Sequence, residues 1–111
     1  MEISKKRFKH CDMLIVTGRV DSSTAPEFSQ ALDAIAAAGR FKIVVDMTGL
    51  EYMSSAGFRA LLAAQRACKR YNRGEVVLAA VPDRIHEALE LAGFTELFKT
   101  YKDPLAGVGS F

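Results

Sequence analysis

Short runs of branched apolar residues alternate along the chain with longer segments in which apolar residues recur every three or four positions. The short runs cover residues 13–16, 41–47 and 76–80. Runs of this length and composition are typical of buried strands. A weaker apolar pattern at Ile3 and Phe8 precedes the first run. It predicts one more strand, which pairs with the first run as a hairpin that turns near residues 10–12.

The segments between these runs have the period of helices. The first helix is expected to begin at Thr24, which can form a capping box with Glu27. Its apolar face is predicted to carry Phe28, Ala31, Leu32 and Ile35. A second helix is predicted over residues 56–71, and a third ends near Gly93.

Strands that alternate with helices predict an α/β fold built on parallel pairing through right-handed crossovers. The hairpin adds one antiparallel edge. We therefore expect one domain over residues 1–102, with a mixed, mostly parallel sheet, an N-terminal β-hairpin and three to four helices. Residues 103–111 contain Pro104, Gly107 and Gly109, and they are expected to form a flexible C-terminal tail.

Composition limits the classes of function. The chain has 111 residues, 50% of them hydrophobic and 25% charged, which is the mix of one soluble globular domain. A net charge of +2 is too small to indicate nucleic-acid binding. No apolar run approaches the ~18 residues that span a bilayer, and none follows the basic N-terminus. We therefore expect a cytoplasmic protein without direct membrane insertion. Cys11 and Cys68 lack CxxC spacing and are expected to be free thiols.

Candidate chemistry is concentrated in two polar loops, residues 18–24 and 48–57. Ligands gather at the carboxyl ends of the strands in open α/β sheets. If the parent strands are parallel neighbours, Asp21 and Ser55 lie close together. Ser54 or Ser55 is expected to cap the helix that follows. A phosphate on either hydroxyl would face the free amides and the positive end of that helix.

The segment DMTGLEYMSSAGFRALL, residues 46–62, resembles the core motif of STAS domains and, more narrowly, of the bacterial anti-sigma factor antagonists. Two weaker matches lie at residues 18–21 and 92–98. The resemblance covers nearly the whole chain in order. It implies a STAS domain that binds an anti-sigma factor, which is itself a serine kinase. Phosphorylation of the antagonist breaks that complex, and a serine phosphatase reverses it.

Carried over by position, the resemblance makes Ser55 the phosphoacceptor and matches Asp21 to the acidic residue of the neighbouring loop. The surface that is expected to bind the partner comprises Asp21, Ser22, Ser23, Thr24, Ser54, Ser55, Gly57, Phe58 and Arg59. Arg59 lies one turn after Ser55, where it either pairs with a phosphate or remains a solvated helix residue. No cofactor and no metal ligand are implied for the antagonist itself.

One departure from the family pattern keeps alternatives open. Many members have Asp at the position of Ser54. Ser54 could compete as the acceptor, or the chain could act without phosphorylation as a constitutive scaffold or as a subunit of a lipid-transport complex. The basic residues Arg66, Lys69, Arg70 and Arg73 either complement the dipole of a helix C-terminus or dock an acidic partner.

An enzymatic alternative has less support. A serine between a strand and a helix is similar to a nucleophile elbow, but the glycine of G-x-S-x-G before the serine is missing. A base is also missing, because His86 would have to reach the strand ends from the start of another helix. His10 and His86 lack metal-ligand spacing, and no phosphate-binding glycine loop is present. We therefore expect a binding module and not an enzyme.

Overall fold

The computed structural model describes residues 1–111, which form one mixed six-stranded sheet with four helices. The strands are β1 (Glu2–Arg7), β2 (Asp12–Val20), β3 (Lys42–Asp46), β4 (Leu50–Met53), β5 (Glu75–Ala79) and β6 (Thr100–Tyr101). The helices are α1 (Ala25–Ala37), α2 (Ser55–Lys69), α3 (Asp83–Leu91) and α4 (Pro104–Gly109), with one 3₁₀ turn at Arg70–Asn72.

The sheet has the order β1-β2-β3-β5-β6, and only the β1–β2 pair is antiparallel. β2 is long enough to pair twice. Its first half pairs with β3 in parallel, and its last three residues pair in parallel with β4. The predicted α/β fold with an N-terminal hairpin and a mostly parallel sheet is confirmed.

The main core lies between the sheet and the three helices α1, α2 and α3. Phe28 of α1, Leu61 of α2 and Leu89 of α3 pack in this core and are almost completely buried. The strands contribute the β-branched and leucine side chains that the short apolar runs indicated, including Leu14, Val45 and Leu78. Burial of such side chains on one face of the sheet supplies most of the free energy that holds the helices in place.

The opposite face of the sheet is covered by α4, where a loose tail was expected. Asp103 caps this helix, since its Oδ1 accepts a hydrogen bond of 2.8 Å from the amide of Ala106. Gly107 lies directly on the sheet, where a Cβ atom would come within 2.9 Å of Val44 Cγ1. Pro104 and Gly107, which suggested a loop, therefore serve as a first-turn residue and a close-contact residue of a helix.

β4 is the second element that the sequence pattern did not predict. It has four residues, and only its two ends, Leu50 and Met53, are buried. Such a strand has no extended apolar run to identify it. None of the four helices combines the length and the apolar character needed to cross a membrane.

Candidate functional site

The end of β2 and the end of β4 bring the two polar loops together. Val20 and Met53 are partners in the parallel β2–β4 ladder, and the amide of Ser54 donates a 2.7 Å hydrogen bond to the carbonyl of Val20. The loop of residues 21–24 therefore lies beside the first turn of α2. The expected proximity depends on β4, because β3 pairs only with the first half of β2.

A tight turn at residues 46–49 leads from β3 into β4. Asp46 Oδ1 accepts hydrogen bonds from the amide of Thr48 at 3.0 Å and from its Oγ1 at 2.6 Å. Gly49 follows without a side chain, and a Cβ atom there would lie 2.8 Å from Thr17 Cγ2. These contacts explain why an acidic residue, a hydroxyl residue and a glycine stand at these positions of the motif.

Asp21 organises the loop that follows β2. Its Oδ1 accepts hydrogen bonds from Ser23 Oγ at 2.6 Å, from the amide of Ser23 at 3.0 Å and from the amide of Thr24 at 3.1 Å. The Ser23 hydroxyl, followed by the Thr24 amide, lowers the pKa of Asp21 below its ordinary value of 3.8. The carboxylate is thus ionised and held in place at neutral pH.

The capping box that the sequence predicted at Thr24 is not formed. Thr24 is the N-cap residue of α1, but its side chain makes no capping hydrogen bond to that helix. Instead, Thr24 Oγ1 accepts a 2.9 Å hydrogen bond from the amide of Asp21 and donates to the carbonyl of Arg19 at 3.1 Å. The hydroxyl stabilises the turn because the loop backbone folds back onto it.

Ser54 and Ser55 have opposite environments at the start of α2. Ser54 is the N-cap residue, yet its Oγ is buried and has no hydrogen-bond partner. Ser55 is the first residue of the helix and is exposed. The amides of Ser55, Ala56 and Gly57 donate to no acceptor in the chain, and the first one used is that of Phe58, which donates to the Ser54 carbonyl at 3.1 Å. The first turn therefore has free donors beside an accessible hydroxyl.

No group near Ser55 is placed to activate its hydroxyl as a nucleophile. The Ser55 side chain makes no hydrogen bond to another side chain, and His86 Nδ1 lies 3.2 Å from Glu90 within α3. No group of three or more His, Cys, Asp or Glu side chains is arranged to hold a metal ion. This edge of the sheet therefore presents the exposed hydroxyl of Ser55 beside the free amides of the first turn of α2.

Comparison with known families decides the identity of the fold. A family model described as "Mlab, STAS domain" matches residues 3–99. The match includes both polar loops and runs from the second residue of β1 to the residue before β6. The chain belongs to the STAS domain family. The resemblance to STAS domains that the motif at residues 46–62 indicated is thereby confirmed.

Relatives of this STAS domain are anti-sigma factor antagonists. The anti-sigma-B factor antagonist of Listeria monocytogenes is 27% identical over 99 residues, which cover 89% of this chain and 85% of that protein. BtrV of Bordetella bronchiseptica, to which the same kind of activity is ascribed, is 30% identical over 94 residues, 85% of this chain and 80% of that one. The crystal structure of an anti-sigma factor antagonist from Mycobacterium paratuberculosis has a TM-score of 0.87, with 21% identity over 98% of this chain and 92% of that chain.

Two residues that were expected to contact a partner are buried in this STAS domain. A Cβ atom on Gly57 would lie 2.6 Å from Met53 Cγ, so this glycine lets α2 approach the sheet closely. Phe58 is 7% exposed and packs edge-to-face on Phe94 with ring centroids 6.2 Å apart. Both residues pack the first turn of α2 against the core, and neither offers a surface to a partner.

The other expected contact residues lie on one surface. Ser22, Ser23, Ser55 and Arg59 are exposed, whereas Asp21, Thr24 and Ser54 are partly buried. Arg59 forms no ion pair and lies one helical turn beyond Ser55. We name the exposed residues Ser22, Ser23, Ser55 and Arg59 the serine surface.

The sequence analysis did not identify an exposed cation–π pair next to the serine surface. Tyr52 is 39% exposed, and the Arg19 guanidinium lies 4.4 Å from its ring centroid. Arg19 and Tyr52 are partners in the β2–β4 ladder. Without the unpredicted strand β4, no sequence signal places these two side chains together.

Proposed function

We propose that this STAS domain is an anti-sigma factor antagonist that binds an anti-sigma factor serine kinase through the serine surface and is released when Ser55 is phosphorylated. A serine phosphatase would restore the binding form. The named relatives and the STAS fold support the antagonist activity in general. The assignment to Ser55 rests on the geometry of the first turn of α2.

The observation that carries the proposal is the contrast between two adjacent hydroxyls. A kinase needs an accessible oxygen, and Ser55 is exposed whereas Ser54 Oγ is buried without a partner. The step from one residue to the next turns a helix by about 100°, so neighbours in a first turn face different directions. This contrast favours Ser55 over Ser54 as the acceptor. It agrees with the family pattern, in which Ser54 occupies the position at which many members have Asp.

The local electrostatics give phosphorylation a large effect on the serine surface. A phosphoserine carries about −1.5 to −2 charges and has strong acceptor oxygens. The free amides of Ala56 and Gly57 and the guanidinium of Arg59 are available as donors nearby. We expect the phosphate to be held on the domain by these donors. A partner surface that fits the neutral hydroxyl would then meet a fixed negative charge.

The deciding experiment maps phosphorylation on the protein recovered from its own cells. We expect phosphate on Ser55 in the wild-type protein and in the Ser54→Ala variant, and none in Ser55→Ala. Affinity capture with each form then measures partner binding. The wild-type and Ser55→Ala proteins are expected to capture a kinase, and Ser55→Asp is expected to bind it at least ten-fold more weakly. The matched charge control is Ser4→Asp, which alters an exposed serine of β1 outside the serine surface.

Three results would contradict the proposal. Phosphate on Ser54 would place the acceptor at the buried position. A Ser55→Asp variant that folds and still captures the kinase fully would remove the release step. No phosphate under growth and stress conditions would favour the constitutive scaffold or the lipid-transport subunit, for which a serine in place of the usual Asp would need no further explanation.

A further inference from the structure

A small basic cavity lies at the edge of the sheet opposite the serine surface. It has a volume of about 150 Å³, and its wall includes His10, Arg40, Phe41, Lys42 and Arg73. These residues precede β2, β3 and β5 or begin β3, so the cavity is at the amino-terminal edge of the parallel strands. We name it the basic cavity.

The basic cavity has an excess of positive charge. No carboxylate lines it, and Lys42 and Arg73 take part in no ion pair. Asp12 pairs with Arg40, whose Nε lies 2.6 Å from Asp12 Oδ1, and with Arg7 at 3.9 Å. Glu75, the ladder partner of Lys42, pairs with Lys99 at 3.2 Å. Neither carboxylate forms an ion pair with Lys42 or Arg73, so these two cations of the cavity wall have no paired counter-charge.

Arg40 is fixed in the wall of the cavity by the backbone. Its Nη2 donates to the carbonyl of Phe8 at 2.6 Å and to that of Cys11 at 3.3 Å. Together with the bond to Asp12, these contacts hold the plane of the guanidinium. Its Nη1 group donates to no acceptor in the chain. A guanidinium that is already ordered loses little conformational entropy when it binds a ligand.

Arg73 is fixed in the same way on the other side. Its Nη2 donates to the Ala67 carbonyl at 2.6 Å and its Nε to the Arg70 carbonyl at 3.0 Å. The guanidinium carbon lies 3.8 Å from the ring centroid of Phe41. Arg73 Nη1 has no acceptor in the chain. Two ordered guanidinium groups thus line one cavity, and each has an unused pair of donors.

We propose that the basic cavity binds a phosphoryl anion, either inorganic phosphate or the head of a phosphomonoester. The free Nη1 groups of the two guanidinium ions and the Lys42 ammonium match the charge and the several acceptor oxygens of a phosphate dianion better than those of a carboxylate. The volume is below the ~300 Å³ at which pockets for whole cofactors begin, so the cavity can hold a phosphate group but cannot enclose a whole nucleotide. The site lies at the opposite edge of the sheet from Ser55 and does not depend on the proposed function.

The test titrates the full-length ¹⁵N-labelled protein with sodium phosphate, O-phosphoserine and sodium acetate at constant ionic strength, with chloride as the balancing anion. We expect saturable amide shifts confined to residues 8–11, 39–42 and 72–74. Acetate is expected to bind at least ten-fold more weakly. Tighter binding of O-phosphoserine than of phosphate would identify a phosphomonoester as the ligand, and the reverse order would identify free phosphate.

Variants separate the basic cavity from general surface charge. Lys42→Gln and Arg73→Lys are each expected to weaken phosphate binding about ten-fold, the effect of losing one charge-assisted hydrogen bond of about 1.4 kcal/mol. Arg84→Gln removes an exposed arginine that forms no ion pair and should leave the affinity unchanged.

The proposal is overturned if phosphate shifts do not saturate, if they spread to the exposed lysines of β1, or if acetate binds as tightly as phosphate. It is also overturned if Lys42→Gln, which alters an exposed residue at the start of β3, has no effect on the affinity. Lys42→Gln keeps the test valid even if an Arg73 variant unfolds, since Arg73 also packs on Phe41.

Discussion

At the scale of single residues, the start of α2 shows how far one position can change the role of a side chain. The pattern Ser54-Ser55 before a helix predicted a capping serine. Ser54 does occupy the N-cap position, but its hydroxyl is buried and bonds to nothing. The first-turn amides are therefore left free, which is what a phosphate on the exposed Ser55 would require.

The unbonded hydroxyl predicts that Ser54→Ala does not destabilise the domain. Replacing a capping serine by alanine typically costs about 1 kcal/mol. Here no hydrogen bond is lost and a buried unsatisfied oxygen is removed, so the free energy of unfolding should stay equal or rise by up to about 1 kcal/mol. Urea unfolding at neutral pH, followed by far-UV circular dichroism, measures this difference.

Ser55→Ala is the matched control, because it removes an exposed hydroxyl of the same size one residue later and should change the stability by less than about 0.5 kcal/mol. A loss of about 1 kcal/mol or more in Ser54→Ala alone would show that the Ser54 hydroxyl caps α2 in solution.

At the scale of secondary-structure elements, α4 differs most from what the sequence indicated. Proline and glycine at residues 104–109 are loop signals in isolation. In the structure, the helix covers a second apolar cluster on the sheet, formed by Cys11, Met13, Val44, Val77 and Ala79. The close contact of Gly107 with Val44 brings the helix onto that cluster.

Removal of residues 104–111 is therefore expected to destabilise the whole domain and not merely to shorten a tail. Val44 and Val77 would each lose part of their cover, and a fully buried valine is worth about 1.5–3 kcal/mol. We expect the free energy of unfolding to fall by about 2 kcal/mol or more. Urea unfolding of the truncated and full-length chains measures the difference.

A substitution gives an independent control for the truncation. Leu105→Ser alters a side chain of α4 that is 79% exposed and should change the stability little. If the truncated chain were as stable as the full-length one, α4 would contribute no packing energy and the original interpretation as a loose tail would be correct.

At the scale of the whole molecule, the central core makes stability depend on pH in the alkaline range. Cys68 of α2 is completely buried in that core, and burial raises the pKa of its thiol from 9.0 to about 11. The unfolded chain loses this proton at a lower pH than the folded chain does. Folding stability from this group is thus fully present below pH 9 and is lost as the pH rises from about 9 to about 11.

We therefore expect the free energy of unfolding of the wild-type protein to fall between pH 9 and pH 11 more steeply than that of Cys68→Ala. The variant is less stable at pH 7 because it loses buried volume, so the slopes are compared and not the absolute values. Urea unfolding at four pH values under reducing conditions supplies both slopes. Equal slopes would mean that the thiolate is no harder to form in the folded protein than in the unfolded chain.

The sequence by itself determined the order of the main strands and helices, the mixed sheet and the family motif. These features depend on residues within a few positions of one another, through apolar period, turn residues and spacing. It also placed the candidate chemistry at residues 46–62 and 18–24. This part was predictable because a strand or helix signal is repeated at several positions, so that no single contact decides it.

The tertiary structure alone decided which serine is accessible, that Arg19 lies on Tyr52, and that residues 104–109 form a helix. Each of these features depends on a contact between segments distant in sequence, such as Val20 with Ser54 or Val44 with Gly107. The local pattern of apolar and polar residues does not indicate such contacts. A four-residue strand and a glycine-containing helix become stable only when the sheet that they pack on already exists.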